Sequence, residues 1–308
     1  YEWLAIIKNT TGAVEKWYWI DSLNGVNKYW SSDASTALTT DANVLTVSGN
    51  QFTLGSTLGA KNYLVEIHKA GLASATASNE DGSINTIDTS ANTLSGFSIS
   101  RFTGTGSNAT VGHGLSSAPE FVIVKNMTTA RGGVVLHTGM TDGSYDLQLS
   151  TTAAQAVDAG EWNSTFPSPT VNSVGSNVSS NGNTNTLTFF NWHGVNFYSS
   201  FGKYEGNGAT DGPMITTNFS AGSSFFKPID ATDAWSLYSP VLSAGNPDNR
   251  LAFNNTALPA TDRPLDTLSN GLKVRTSNGV INPSSTVIYG AWGGRPMTDG
   301  STNQGRAR

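Results

Sequence analysis

The sequence has no cysteine among its 308 residues, which excludes disulfide bonds and thiolate metal sites. Charged residues make up only 13%, against about 25% in average soluble domains. The formal net charge is -5, and the lysines and arginines are scattered, so no basic stripe indicates nucleic acid as a partner. No apolar run approaches the roughly 18 residues that a membrane helix needs. Stability must therefore come from packing and assembly, and a membrane-embedded protein is not expected.

Glycine, serine, threonine and asparagine take the place of the missing charge. This composition disfavours helices and suits short strands joined by many turns. No segment has a sustained 3.6-residue apolar period, and residues 151–159 are the best candidate for a short helix. We therefore predict an all-β protein. A length of 308 residues suits two or three modules of about 100 residues each.

Residues 96–126 contain three parts that organise the rest of the chain. An alternating segment, with Phe97 and Ile99 on one side, predicts a half-buried strand, here called the opening strand. A glycine-rich reversal follows, and then an apolar run that ends at Lys125 and predicts a fully buried strand, here called the lysine strand. The same layout returns 102 residues later, where Lys227 matches Lys125, and Gly206 and Gly208 match Gly104 and Gly106.

Three bodies can be aligned on this repeat. Each has a lysine strand, a second strand, a third strand and an aromatic closing strand, and the lysine strands lie at residues 4–8, 121–125 and 224–227. Trp192 and Trp292 occupy the same place in two closing strands. We predict tandem antiparallel β-sandwich modules, jelly-roll-like, with glycine-rich connectors. Their expected bounds are 1–95 for an N-terminally incomplete module plus a loop, 96–196 for the second, and 197–308 for the third with its polar tail.

Two segments next to these strands carry further expectations. The first body starts directly with its lysine strand, so we interpret the chain as the C-terminal piece of a longer protein. Residues 71–95 contain few large apolar side chains and are predicted to be a surface loop.

No residue pattern indicates catalysis, a cofactor or a metal. The four histidines fall at different repeat positions without a ligand partner at metal-site spacing, and His113 is interpreted as a turn histidine bonded to backbone. Glu80 and Asp81 precede Gly82 but lack the alternating oxygen ligands of a calcium loop. No nucleophile or phosphate-loop motif is present. We predict a non-enzyme, although a glycosidase-like pair of carboxylates distant in sequence stays an alternative.

Aromatic residues are the remaining candidates for function. Trp17 with Trp235, and Trp192 with Trp292, recur at repeat positions and are predicted to lie in the core. The less constrained aromatic residues are candidate receptor or interface contacts: Tyr18, Trp162, Phe197, Tyr198 and Tyr204. Subunit contact is the favoured interpretation, because aromatic residues are enriched at interfaces, and stacking on sugar rings is the alternative. Trp162 lies in an insertion with no partner in the first body and is expected to be the best receptor anchor.

The segment GFSISRFTGTGSNATVGHGLSSAPEFVIVKN, residues 96–126, resembles the repeated module of tail-fibre and virion appendage proteins of marine bacteriophages, notably those that infect cyanobacteria. FGKYEGNGATDGP, residues 201–213, is similar to the glycine-rich reversal of that family. The resemblance covers most of residues 63–294 and reaches residues 1–62 only through the repeat. The closing strand departs from the acidic, phenylalanine-rich ending that the family usually has, which leaves the role of residues 295–308 open.

The resemblance implies a non-enzymatic structural protein of a virion, a fibre or appendage component involved in host attachment. It implies a homotrimer, other virion proteins as partners, and a host surface glycan or outer-membrane protein as receptor. The expected location is the surface of the particle, on tail or head. The alternatives are a decorating scaffold protein that binds no receptor and, less favoured, a tailspike that degrades host polysaccharide.

Overall fold

The computed structural model describes residues 1–49, 51–71, 77–242, 246 and 249–294. Nearly all of its regular structure is antiparallel β, which confirms the predicted fold class. Among these residues, helix is limited to two short α-helices and one 3-10 turn, at Ala159–Trp162 (α1), Val178–Asn181 (α2) and Pro240–Leu242. The helix expected at residues 151–159 is wrong for all but its last residue, because the chain there stays extended and pairs as a short strand at Ala156–Val157.

The first body holds seven strands. In chain order, β1 to β7 are Trp3–Asn9, Tyr18–Asp21, Lys28–Tyr29, Thr39–Thr40, Leu45–Ser48, Gln51–Leu54 and Tyr63–Lys69. Its main sheet has the order β2-β1-β7. The β5–β6 hairpin covers the outer face of this sheet, where the ring of Phe52 lies 4.8 Å from that of Trp3. This arrangement gives a small two-layer sandwich.

The second body holds nine strands. In chain order, β8 to β16 are Thr86–Asn92, Phe97–Thr103, Ala109–Gly112, Phe121–Asn126, Val134–His137, Tyr145–Gln148, Ala156–Val157, Val171–Val174 and Thr186–Trp192. Seven of them form one sheet of order β14-β13-β12-β11-β16-β9-β8, and β10 pairs with β15. The strand β8 corrects the expectation of a surface loop at residues 71–95. The polar residues Thr86, Asp88 and Ser90 are buried in β8, and an ion pair joins Asp88 to Arg101 on β9.

The third body holds eight strands. In chain order, β17 to β24 are Ser199–Glu205, Met214–Thr216, Ala221–Pro228, Ser236–Tyr238, Arg250–Ala252, Leu265–Leu268, Gly271–Val274 and Thr286–Gly293. They form a five-stranded sheet, β17-β24-β19-β20-β21, and a three-stranded sheet, β18-β23-β22. A core that includes Ile215, Phe226 and Leu272 lies between the two sheets.

One strand order recurs in the three bodies. The lysine strand lies between the second strand and the closing strand, as β2-β1-β7, β12-β11-β16 and β20-β19-β24. In the second and third bodies the opening strand, β9 or β17, pairs with the other edge of the closing strand. In the first body no described strand pairs with that edge of β7. The common order agrees with the repeat, whereas the module bounds at 95/96 and 196/197 stay predictions.

The three main sheets share one core, and the first and third bodies each have a further core of their own between their two layers. Ile6, Ile123 and Phe225 occupy equivalent places in the three lysine strands, and all belong to a single buried apolar cluster. The tryptophans predicted to be core are buried there as well, and two of them donate hydrogen bonds between bodies. Trp17 Nε1 donates to Ala252 O at 2.9 Å, and Trp235 Nε1 donates to Gln148 O at 3.1 Å.

The lysines of the lysine strands join the bodies in a cyclic order. Lys8 Nζ donates to Thr256 O of the third body at 2.8 Å, and Lys125 Nζ donates to Thr36 O of the first body at 2.6 Å. Lys227 Nζ donates to Thr152 O of the second body at 3.2 Å. All three side chains are fully buried, and burial lowers the pKa of each to about 8. Each body is thus tied to the next through a buried cation.

Candidate functional site

The turn between β16 and β17 presents two aromatic side chains to solvent. Phe197 is 70% exposed and Tyr198 is 40% exposed. The turn is closed by a hydrogen bond from the Tyr198 N–H to Val195 O at 2.9 Å, and Val195 pairs with Ser199 at its base. We call Phe197 and Tyr198 the aromatic turn.

The backbone of Phe197 lies in the left-handed region, with φ of 62°. Glycine is the residue that adopts this conformation without penalty, and a bulky side chain there costs roughly 1–3 kcal/mol. Such a conformation persists only where the surrounding structure holds it. Strained residues of this kind concentrate at functional sites, so Phe197 is a candidate contact residue.

The third sheet holds the aromatic turn in place. The N–H of Gly293, at the end of β24, donates to Tyr198 O at 2.6 Å. A Cβ atom on Gly293 would lie 3.2 Å from that same oxygen, so a larger residue would press on the turn. The turn is therefore a fixed projection of the fold and not a free loop.

A buried aromatic cluster lies near the turn at the ends of the closing strands. The register of the three sheets places His68, Trp192 and Trp292 at equivalent positions. The His68 ring lies 5.5 Å from Trp192, 5.0 Å from Trp292 and 5.4 Å from Phe97. Trp192 Nε1 donates to His68 Nδ1 at 3.3 Å, so the neutral histidine carries its proton on Nε2.

Glu66 connects this cluster to the third body through Ser223. One carboxylate oxygen of Glu66 lies 3.2 Å from His68 Nε2, and the other accepts a hydrogen bond from Ser223 Oγ at 3.0 Å. Burial, followed by the negative charge of Glu66, raises the pKa of Tyr198. The aromatic turn offers exposed ring faces, which is the chemistry that stacks on the apolar face of a sugar ring, whereas the Glu66 carboxylate is 14% exposed and engaged by His68 and Ser223.

The structure brings together two of the five candidate contact residues and buries the others to different degrees. The expectation that Trp162 is an exposed anchor is wrong, because its side chain in α1 is fully buried and lies 6.3 Å from Phe189. Tyr18 is only 5% exposed and packs on Tyr29 in the core of the first body. Tyr204 is half-buried, and its hydroxyl donates to Ile281 O at 2.5 Å.

His113 has the role expected of a turn histidine. Its Nδ1 accepts a hydrogen bond from the N–H of Leu115 at 3.1 Å, and its Nε2 lies 3.2 Å from Ser168 O. Burial lowers the pKa of His113. At the Glu80–Asp81 turn, Asn79 donates to the Asp81 carboxylate. Within the described ranges, no group of three or more His, Cys, Asp and Glu side chains is arranged to hold a metal ion.

Three carboxylates lie close together around α1. Asp158 caps the helix by accepting from the N–H of Gly160 at 2.9 Å, and Glu161 within the helix is 1% exposed. Burial raises the pKa of Glu161 to about 7 and that of Asp146 to about 6. Glu161 Oε2 has no hydrogen-bond partner. Asp146 and Glu161 are both buried, so they do not form the open two-carboxylate cleft that the tailspike alternative requires.

The sequence contained a signal for the aromatic cluster that strand alignment did not use. The alignment of the closing strands placed Trp192 with Trp292 and assigned them no counterpart in the first body. Continuing the register from Lys8 opposite Leu64 would have aligned His68 with Trp192 and Trp292. The contact between Glu66 and Ser223 had no such signal, because the two residues come from different bodies.

The fold and site define a class: an all-β protein of three bodies with a common strand order around a shared core, with an aromatic turn on its surface. The chain belongs to the family described as a domain of unknown function, DUF7483, whose profile matches residues 3–296. No curated protein and no solved structure shows significant similarity to the chain. Among the described residues, no helix is long and apolar enough to span a membrane.

Proposed function

We propose that this chain is a non-catalytic structural protein of a bacteriophage virion, a fibre or appendage component that contacts the host surface through the aromatic turn. The observation that carries this proposal is the exposed, strained Phe197 beside Tyr198 on a rigid base. The phage assignment comes from the sequence resemblance of residues 96–126 and 201–213. Three bodies joined by buried lysines suit a part that must keep its shape outside the cell.

A host surface glycan is the proposed receptor. The rings of Phe197 and Tyr198 offer flat apolar faces for the C–H side of a sugar. A face of this size suits a weak contact that many copies on one particle strengthen by avidity. An outer-membrane protein is the second candidate receptor.

The test is binding of the purified chain to cells of the host bacterium. Truncation of both side chains, Phe197→Ala with Tyr198→Ala, is expected to reduce cell binding at least about tenfold, since aromatic anchors carry most of the energy of small contacts. Leu94→Ala is the matched control, because Leu94 is 79% exposed in another turn. Soluble host polysaccharide should compete. Unchanged binding by the double variant would overturn the proposed contact.

The alternative, a decorating scaffold protein, is tested by locating the chain on the particle. Antibodies against the chain would label the distal end of an appendage if the proposal holds. Labelling of the shell or tail body, with adsorption unchanged by the double variant, would instead indicate a scaffold.

The homotrimer is proposed for the fibre assembly, and light scattering that finds a stable monomer at micromolar concentration would contradict it.

A further inference from the structure

Among the described residues, no strand of the first body corresponds to the opening strand that completes the other two sheets. In the second and third bodies a seven-residue opening strand covers the outer edge of the closing strand. The equivalent edge of β7 has no strand partner among the described residues. The far end of this edge is occupied, because Lys69 O accepts from Asn92 Nδ2 and Ser95 Oγ. The open part of the edge is therefore Tyr63–Ile67.

The hydrogen-bond pattern gives the direction in which the backbone groups of β7 point. Ala70 N–H donates to Glu2 O, and Thr10 N–H donates to Asn62 O. Successive residues of an antiparallel strand direct their N–H and C=O groups alternately to its two sides. The even-numbered residues of β7 therefore bond to β1. The N–H and C=O groups of Tyr63, Val65 and Ile67 then point outward.

A cleft of about 840 Å³ lies beside this edge. One wall contains Tyr63, Leu64 and Val65, and the facing wall comes from the third body through Val241, Leu242 and Leu258. At the equivalent seam between the second and third bodies, the opening strand β17 fills the space. A Cβ on Gly139 of the second body would lie 3.2 Å from the Lys203 side chain on β17. The cleft is thus the space that an opening strand would occupy.

The side chains along the open edge also favour pairing with a further strand. Val65 is 38% exposed and Ile67 is 43% exposed, although both are β-branched and apolar. Proteins normally protect edge strands with charge, proline, bulges or cover, and an unprotected apolar edge is a template for pairing.

We propose that the edge of β7 binds one further extended strand, antiparallel to β7 and of the same type as β9 and β17. The two opening strands define its chemistry through their shared pattern. Ser98, Ile99, Ser100, Arg101 and Phe102 correspond to Ser200, Phe201, Gly202, Lys203 and Tyr204. The partner segment therefore reads serine, apolar, small, basic and aromatic. The mode is strand addition, in which main-chain hydrogen bonds supply affinity and alternate side chains supply specificity. This inference does not depend on the virion role.

The test uses the whole chain and a labelled peptide with the sequence of residues 96–106, GFSISRFTGTG. Peptide binding is measured by fluorescence anisotropy, and backbone protection by hydrogen exchange of the Val65 and Ile67 amides. We expect saturable binding, slowed exchange at both amides, and no binding of the same peptide with proline in place of its two strand serines. Proline removes the donors that the ladder needs.

Two variants of the chain locate the contact. Val65→Pro removes an outward N–H without breaking the β1–β7 ladder, and Ile67→Lys places a charge on the edge. Each is expected to weaken peptide binding at least about tenfold, equivalent to 1.4 kcal/mol. Ile87→Lys is the matched control, because Ile87 is 46% exposed on the edge strand β8. Circular dichroism of each variant verifies the fold.

Two results would overturn the proposal. One is the absence of peptide binding at millimolar concentration while the Val65 and Ile67 amides exchange freely. The other is protection of these amides by self-association that Val65→Pro abolishes, because a second copy of the chain would then cover the edge.

Discussion

At the scale of single residues, Phe197 combines backbone strain with solvent exposure. Its φ of 62° is the conformation in which glycine has no steric penalty, and its side chain makes no compensating burial at 70% exposure. Natural proteins keep such residues where function requires them at the expense of stability. Stability alone would therefore favour glycine at position 197, whereas the proposed receptor contact requires the aromatic ring.

Phe197→Gly is expected to raise the free energy of unfolding by about 1 kcal/mol, since relief of the left-handed strain exceeds the added entropy of glycine in the unfolded chain. The same variant should bind host cells more weakly. Chemical denaturation measures the first effect and cell binding the second. Tyr198→Gly is the control, because Tyr198 does not have a positive φ, and it should destabilise the protein. A loss of stability in Phe197→Gly would contradict the strain argument.

Glu161 is a second residue whose environment has a measurable consequence. Its carboxyl is 1% exposed, with one oxygen unpaired, and burial raises its pKa from 4.5 to about 7. Below pH 4.5 the carboxyl is neutral in both folded and unfolded chains. Between pH 4.5 and 7 the unfolded chain loses this proton first, so stability falls as pH rises and the loss is complete above pH 7.

Glu161→Gln is expected to stabilise the protein at pH 8 by up to about 3 kcal/mol and to have little effect at pH 4. The measurement is the free energy of unfolding of variant and wild type across this range. His137 titrates in both proteins, with a pKa lowered to about 4 by burial, and cancels in the difference. Glu80→Gln, at an exposed position, is the control and should show no pH-dependent difference. A constant difference at all pH values would contradict the assignment.

At the scale of elements, the lysine strands link the sheets to one another. Lys125 is fully buried and donates to Thr36 O and Arg131 O, which belong to different bodies. Replacing the ammonium by an apolar group of similar length keeps the packing of the stem but leaves both carbonyls without this donor. Each buried, unpaired polar group costs about 1–3 kcal/mol.

Lys125→Met is therefore expected to lower the free energy of unfolding by about 2–4 kcal/mol. Hydrogen exchange should show the loosening around residues 34–38 of the first body as well as in the second body. Lys203→Met is the matched control, because Lys203 lies on the exposed face of β17 and should change stability by less than about 0.5 kcal/mol. An equal effect of both substitutions would show that the buried hydrogen bonds are not the cause.

At the scale of the whole molecule, the shared core couples the three bodies. Side chains of β1, β11 and β19 belong to one apolar cluster, and lysine and tryptophan hydrogen bonds cross between bodies. A body removed from the other two would expose Phe121, Trp192 and their neighbours to water. Chains of this length usually unfold in several steps, but a common core makes the bodies interdependent.

The protein is expected to unfold in one cooperative transition, with a calorimetric enthalpy close to the van't Hoff enthalpy. Residues 86–196, which hold all nine strands of the second body, are expected not to form a stable fold when produced alone. Differential scanning calorimetry of the whole chain and circular dichroism of the fragment measure these outcomes. Three resolved transitions, or a stably folded fragment, would show that the bodies are independent modules.

The sequence by itself determined the strands and their repetition. Apolar runs ending at Lys8, Lys125 and Lys227 identified the buried strands, and the recurrence of tryptophan in the closing strands identified part of the core, because burial on both faces demands continuous apolar residues. The all-β class followed from the same local patterns. Residues 86–92 were missed because β8 is polar and gains its burial from β9 and from the ion pair between Asp88 and Arg101.

Only the tertiary structure decided which surfaces are shared and which are free. Tyr18 was a candidate contact because the repeat constrained it less, and Trp162 because it lies in an insertion with no partner in the first body. Each nevertheless fills a space that exists only once the strands are assembled. The lysines become links between bodies because their partners, the carbonyls of Thr36, Thr152 and Thr256, are main-chain groups that no residue type encodes. The aromatic turn stays at the surface for the same kind of reason: whether a side chain is buried depends on the elements that pack beside it, and those come from distant parts of the chain.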